Sequence, residues 1–323
     1  MWLLRLKLLL LVGLLFAILW TLFSMIGAAF GLEGIYFYVF VALLAGTMVF
    51  IQYLIGPKVV EISMMVRYAT EEEYPEIHKM VEELSVKAGI PKPRIGISKL
   101  KIPNAFAFGR TQGDARICVT EGLLDLLNKE ELRAVLGHEI SHIKNRDVFI
   151  ITMLSVIPTI CYMIYTSLLW GGIYTRRRES GYLAIIGFTA FLLYLITSLL
   201  VMYASRIREY YADYGSVELG NKPSWLATAL YKIVYGSARA ERDTIKKVAG
   251  MKAFFLNDPA NAVNEIRELK QVDLNLDGVI DEYELQVLAE KKIKLSKSER
   301  IMEMLSSHPS TLKRIKTLSD LTR

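Results

Sequence analysis

Four stretches of this chain carry no Asp, Glu, Lys, Arg or His: Leu8 to Leu32, Gly34 to Pro57, Val148 to Thr175 and Ser180 to Ser205. They are 25, 24, 28 and 26 residues long. About 20 predominantly apolar residues let a helix cross a bilayer, so a single soluble globule is excluded. The windows occupy 103 of the 323 residues, and the other 220 hold all 39 basic and 33 acidic side chains. That is nearly a third of the polar part, above the roughly one quarter usual in soluble domains. The chain therefore combines apolar spans with a strongly polar body. Its formal charge of +6 comes largely from residues flanking the spans, with no basic-aromatic stripe. This is charge at a membrane edge, and no nucleic-acid partner is expected.

Arg5 and Lys7 precede the first window as they would in a secretory signal. A signal's apolar core is only ~7–15 residues, however, and here a second span follows at once, so a retained helix is expected. Glu33 alone separates spans one and two, which makes them a hairpin. Basic residues before the first span and after the second put both sides of that hairpin's base in the cytoplasm. Arg176, Arg177 and Arg178 between spans three and four oppose four full crossings. Either the first hairpin dominates, or the second is tilted, partly buried or re-entrant. The two cysteines, Cys118 in the polar body and Cys161 in the third span, are poorly placed to pair, so no oxidising compartment is implied.

The polar segments have their own patterning. A helix is expected over Glu71 to Ala88 with Thr70 as N-cap, from the spacing of Ile77, Met80, Val81 and Leu84. Short strands are expected at Arg94 to Ile97, Asn104 to Phe108 and Arg116 to Val119. Asn128 followed by Glu131 announces another helix in the manner of a capping box. With no breaker before Pro158, that helix is expected to run directly into the third span. The fourth span is likewise expected to run unbroken through Arg206 to Gly215.

The capped helix carries His138-Glu139-Ile140-Ser141-His142. Residues i and i+4 share a helix face, so two imidazoles there can meet one metal ion. Glu139 lies between them, placed to take a proton from a metal-activated water. A catalytic zinc site needs a third protein ligand and an open position. Ser205 to Asp213 supplies Glu209, with Asp213 one turn later on the same face. Asp213 is suited to accept the free ring N–H of a ligand histidine and so fix its tautomer.

These strings occur in order along the chain: Pro103-Asn104-Ala105-Phe106-Ala107, His138-Glu139-x-x-His142, Ser205-Arg206-x-x-Glu209-x-x-Ala212-Asp213 and His308-Pro309. With paired spans between them, they resemble the HtpX-type membrane metalloproteases, gluzincins related to the CAAX prenyl-protein endopeptidases. The resemblance implies an α-helical membrane protein with four hydrophobic helices in two hairpins. It also implies a cytoplasmic α+β, zincin-like but mainly helical protease domain. One zinc ion per chain would be held by His138, His142 and Glu209, with Glu139 as general base and Arg206 and Asp213 in support. Asn104 and Ala105 would lie on an edge strand that pairs with an extended polypeptide, an arrangement that also suits a protease physically because backbone pairing is indifferent to side chains. His308, just before Pro309 and a C-terminal helix, is placed either to help stabilise the oxyanion or, equally, to cap or anchor that helix, and Ser310 stands where the family pattern usually has a second proline.

The implied layout is a transmembrane hairpin at 1–57, the first part of the protease domain at 58–147, a second hydrophobic hairpin at 148–205, and the second part at 206–323. The implied activity is membrane-bound endopeptidase cleavage of misfolded or membrane proteins at the cytoplasmic face, a quality-control role. A prenyl-protein or peptide-maturing protease is the near alternative. Site-2-type intramembrane proteases also join HExxH to a distant Leu-Asp-Gly, and Leu276-Asp277-Gly278 is present. Here the HExxH is ringed by charges, from Lys129 to Arg146, which argues against that class.

Asp273 to Glu284 matches the twelve-residue EF-hand loop, within a segment at 262–290 foreign to the family pattern. Asp273, Asn275, Asp277, Asp281 and Glu284 supply side-chain oxygens, Val279 a carbonyl, and Gly278 the sharp turn. Apolar residues on either side predict flanking helices. A calcium ion is expected there. A non-enzymatic, calcium-responsive membrane protein is the alternative from another class. Its zinc site would then be structural and usually closed by four ligands, often cysteines, and neither Cys118 nor Cys161 is near the motif.

Overall fold

The computed structural model describes residues 35–174, 180–240, 255–256, 262–291, 293 and 297–322, with isolated positions at 10, 13, 14, 17, 18 and 21. Most of the first apolar window, the Glu33 turn and Arg176 to Arg178 lie outside the described residues. The chain is mainly helical and divides into two compact units, residues 1–55 with 150–207, and 56–149 with 208–323.

Helix α1 covers Ile35–Ser63. Strand β1 (Val66–Tyr68), helix α2 (Pro75–Ala88), strands β2 (Arg94–Ser98), β3 (Ala105–Phe108) and β4 (Arg116–Thr120) and a single turn of helix, α3 (Glu121–Leu124), follow. Then come α4 (Lys129–Lys144), α5 (Asp147–Tyr174), α6 (Ser180–Glu218) and α7 (Pro223–Ala238). The C-terminal helices are α8 (Ala262–Leu269), α9 (Glu282–Glu290), α10 (Lys297–Met304) and α11 (Thr311–Ser319). Among the described residues, two helices are long and apolar enough to cross a membrane, Asp147–Thr166 and Ala184–Glu218.

In the first unit, α5 and α6 pack as an antiparallel pair through Leu154 and Ile157 against Ala204, and Cys161 against Ala190. Tyr162 with Tyr194 and Tyr165 with Phe191 add ring contacts at 5.4 and 5.0 Å. Ile185, Phe188, Leu192 and Ile196 of α6 are exposed, an apolar outer surface suited to lipid.

In the second unit the strand order is β1-β2-β4-β3. β4 is parallel to β2, and β3 runs antiparallel along β4 with Ala105 opposite Val119. β3 is therefore an edge. α4 packs on β3 and α2, and α7 packs on α4, α8 and α11. One core joins them: Leu84, Ile117, Val135, Leu136 and Ile140 are fully buried with Leu226. Each such side chain contributes roughly 1.5–3 kcal/mol by leaving water.

Three local differences from the sequence reading have physical causes. Thr70 closes a turn, accepting the Glu73 N–H on its hydroxyl, while the helix itself starts at Pro75, whose fixed φ suits a first helical position. β1 carries no alternating pattern that would announce it. The third difference matters most. α4 does not run into the third span, because Arg146 takes a left-handed backbone (φ 57°) and α5 begins afresh at Asp147. The fourth span does run unbroken, since α6 extends from Ser180 through Glu218.

Candidate metal centre

α4 is anchored at its start by a full capping box: Glu131 N donates to Asn128 Oδ1 at 2.8 Å, and Asn128 N donates to Glu131 Oε2 at 3.1 Å. It meets the last turns of α6 at two glycines. A Cβ on Gly137 would collide with Asn221 Nδ2, and one on Gly215 with Ser141 Oγ. The helices cross closely enough for Ser216 Oγ to donate to the Ala134 carbonyl at 2.7 Å. This close approach brings the histidine face of α4 onto Glu209 and Asp213.

There the Nε2 atoms of His138 and His142 lie 3.1 Å apart. Glu209 Oε2 is 3.6 Å from His138 Nε2, and its Oε1 is 3.5 Å from His142 Nε2. Each ring is held from behind. His138 Nδ1 donates to Asp213 Oδ1 at 2.9 Å, and His142 Nδ1 donates to Asp147 Oδ2 at 2.7 Å. With the protons on Nδ1, both Nε2 lone pairs face one another and a carboxylate, with no hydrogen between them. Glu209 Oε2 is buried without a hydrogen-bond partner. Three converging acceptors repel unless a cation lies among them. A tetrahedral zinc ion with bonds of about 2.0–2.2 Å sets its ligand atoms about 3.4 Å apart. The observed 3.1, 3.5 and 3.6 Å bracket that value. The residues fit a zinc ion.

Glu139 is buried on α4, between the two histidines in sequence, and no hydrogen bond or ion pair holds its carboxylate among the described residues. His308 reaches the cluster, with Nδ1 3.5 Å from Glu209 Oε2, and beyond that pairing neither ring nitrogen has a hydrogen-bond partner among the described residues. Asn104 immediately precedes β3 and is fully buried. Its side-chain oxygen accepts the Leu256 N–H at 2.9 Å. Ala105 is the first residue of β3 and is also buried. Arg206 places its guanidinium over the Tyr203 ring.

Three residues that the sequence did not single out touch the cluster. Asp147 holds His142, and Arg208 pairs with Asp147 while donating to the Asn145 carbonyl at 3.0 Å. That bond braces the break after α4. Arg314 of α11 is 1% exposed. It donates to Asp213 twice, at 2.9 and 2.6 Å, and to the Leu256 carbonyl at 3.0 Å, and lies 3.1 Å from Glu209 Oε2. Burial lowers its pKa, but the Asp213 and Glu209 charges outweigh that and raise it overall, so the guanidinium stays charged. Arg314 had a signal: Thr311, Arg314, Ile315 and Leu318 share one helix face, so an arginine sits at a core position. Asp147 had none, because its contact depends on the left-handed Arg146.

The two membrane-capable helices and the cluster of potential metal ligands are in keeping with a membrane metalloprotease, the class that the family match shows. The chain belongs to peptidase family M48, whose model matches residues 71–322. It is 49% identical over 233 residues to the protease HtpX homolog of Methanothermobacter thermautotrophicus, covering 72% of this chain and 86% of that one. It is 40% identical over 220 residues to the protease HtpX homolog 2 of Methanosarcina acetivorans, covering 68% and 75%. Among solved structures it shares a fold with S. mikatae Ste24p at a TM-score of 0.51 and 17% identity. That match covers 94% of this chain and 62% of the Ste24p chain. As a protease of this family, it acts on polypeptides.

Proposed function

We propose that this chain is a zinc-dependent endopeptidase, integral to the membrane through four helices in two hairpins. Its zincin-like domain faces the cytoplasm and cleaves misfolded or membrane proteins at that face. The observation that carries the reading is the convergence of two carboxylate-held imidazoles and Glu209 at ligand spacing. His138, His142 and Glu209 hold one zinc ion. When bound, zinc supplies a Lewis acid that polarises the scissile carbonyl and makes water more acidic. Glu139 takes the proton of the attacking water and passes it to the leaving amine. Its freedom from other partners among the described residues supports that role.

Asp213 and Asp147 keep both rings in the tautomer that leaves Nε2 open. His308, whose Nδ1 lies 3.5 Å from Glu209 Oε2, donates to the oxyanion. β3 is the edge along which an extended substrate pairs, with Asn104 and Ala105 at its start. Glu209 lies four residues beyond the fourth apolar window and His142 six residues before the third. That spacing supports a site close to the bilayer surface and substrates that present loops or tails there.

The test uses the full chain in detergent. Zinc stoichiometry and cleavage of an unfolded polypeptide are measured for the wild type and for Glu139→Gln. One zinc per chain in both, with cleavage only by the wild type, is expected. Equal cleavage by the two proteins contradicts the mechanism.

A further inference from the structure

The loop between α8 and α9 lies apart from the zinc-binding residues and has no part in the chemistry above. Within twelve residues it carries five carboxylates; Glu282 points outward to pair with Lys222, and the other four, Asp273, Asp277, Asp281 and Glu284, stand at ligand positions. Among the described residues none of the four forms an ion pair. Asp273 and Glu284, at the first and twelfth positions, are buried to 2% and 3% exposure. A buried charge is costly unless something compensates it. Glu284 is partly satisfied, since its carboxylate accepts the Leu274 N–H at 2.6 Å and the Asp281 N–H at 3.2 Å. Asp273 is not. Its Oδ2 accepts the Gly278 N–H across the loop at 3.0 Å, which points the carboxylate inward, while Oδ1 is buried with no hydrogen-bond partner. Burial first, then hydrogen bonding to Tyr235 and to Asp273 and the charges of both, raise the pKa of Tyr231, so its hydroxyl stands beside the Asp273 carboxylate.

We infer that residues 273–284 form a calcium site. Its ligands are Asp273, Asn275, Asp277, the Val279 carbonyl, Asp281 and Glu284, and Asp273 Oδ1 supplies the oxygen that the protein leaves unpaired. The donors are all oxygens at the first, third, fifth, seventh, ninth and twelfth positions. A glutamate able to bind through both oxygens stands at the twelfth and Gly278 (φ 81°) at the sixth. This suits the high, flexible coordination of calcium better than the strict octahedron of magnesium. Asp281 at the ninth position also caps α9, accepting the Glu284 N–H at 2.8 Å.

A single loop of this kind ordinarily leans on a second. Here Thr228 of α7 substitutes for that partner. Its hydroxyl accepts the Ile280 N–H at 2.9 Å and donates to the Ile280 carbonyl at 3.2 Å. Ile280, Leu285 and Leu288 enter the main core. α9 packs on α11, and Lys316 Nζ donates to the Ala289 carbonyl at 2.9 Å. α11 also carries Arg314. The cation therefore braces the element that holds Arg314 against Asp213, and its binding should raise the temperature at which the polar unit unfolds.

The test is calcium titration of the full-length protein in detergent with zinc saturating throughout, followed by thermal unfolding with and without calcium. Two variants serve as controls. Glu284→Gln keeps the capping box, since glutamine fills that role as glutamate does. Asp277→Asn alters an exposed side chain. One calcium per chain is expected, weakened about tenfold or more by either variant because affinity follows ligand charge. The calcium-induced rise in unfolding temperature should shrink in both. The inference is overturned by no binding up to about 1 mM, the weak end for such loops. It is equally overturned by variants that bind as tightly as the wild type, or by magnesium binding more tightly than calcium.

Discussion

Replacing Arg314 with alanine should cost far more than an ordinary surface change, and the cost should depend on Asp213. The arginine is buried, donates two hydrogen bonds to Asp213 and one to Leu256, and lies against Glu209. Its loss leaves a buried Asp213 carboxylate facing a cavity. Breaking a buried ion pair from one side typically costs about 3–5 kcal/mol. For a polar unit of roughly 200 residues each kcal/mol moves the midpoint by about 2–4 °C, so a fall of about 6–20 °C is expected. Asp213→Asn removes the charge from the other side yet retains a carbonyl to accept His138 Nδ1–H. In the double variant neither charge is stranded. It should be less destabilised than the sum of the singles by about 2 kcal/mol or more. The assay is thermal unfolding of four proteins in one detergent, zinc present throughout, followed by intrinsic fluorescence. An Arg314→Ala loss below about 1 kcal/mol would refute the reasoning. So would singles that add to within about 0.5 kcal/mol.

Further outcomes are expected of the same site. Asp147→Asn should weaken zinc binding about 10–100-fold while the fold persists, because it removes the group that orients His142; competition with a chromogenic chelator measures this. Gly215→Ala should destabilise by about 1–3 kcal/mol, since its methyl would collide with Ser141 where α4 and α6 cross. An unfolding midpoint unchanged from wild type would contradict that crossing. Glu139→Gln should lower the cleavage rate about 10²–10⁴-fold without reducing bound zinc, read by a fluorogenic peptide assay beside metal analysis. Chelation should abolish cleavage reversibly, with zinc restoring it; persistence of full activity in metal-depleted protein would speak against a metal-dependent reaction.

Much of this was legible from charge and spacing. A charge-free run longer than a bilayer is thick admits few structures, and α5 and α6 emerge as long apolar helices. The i, i+4 histidines had to share a face once Asn128 and Glu131 set the helix start. Glu209 and Asp213 had to share one too, given an unbroken α6. That the two faces meet was offered by the need for a third ligand and strengthened by the family resemblance, but how they meet was not legible, because it depends on Gly137 and Gly215 removing side chains at a crossing distant in sequence. The break at Asn145 and Arg146 was hidden for a different reason. No proline or glycine marks it, and a left-handed arginine is sustained by tertiary contacts, here Arg208 bonded to the Asn145 carbonyl. The three strands read from short runs bounded by proline and glycine were within a residue of their observed extent. β1 was missed because three half-exposed residues carry too little pattern.

The central claim is that His138, His142 and Glu209 hold one zinc ion between two imidazoles and a carboxylate. X-ray absorption at the zinc edge of the purified chain tests it most directly. The account predicts a four-coordinate shell of nitrogen and oxygen at about 2.0–2.2 Å, with the outer-shell scattering of two imidazole rings. A sulfur shell at about 2.3 Å, which would bring Cys118 or Cys161 to the metal, or a shell with no imidazole, would contradict it.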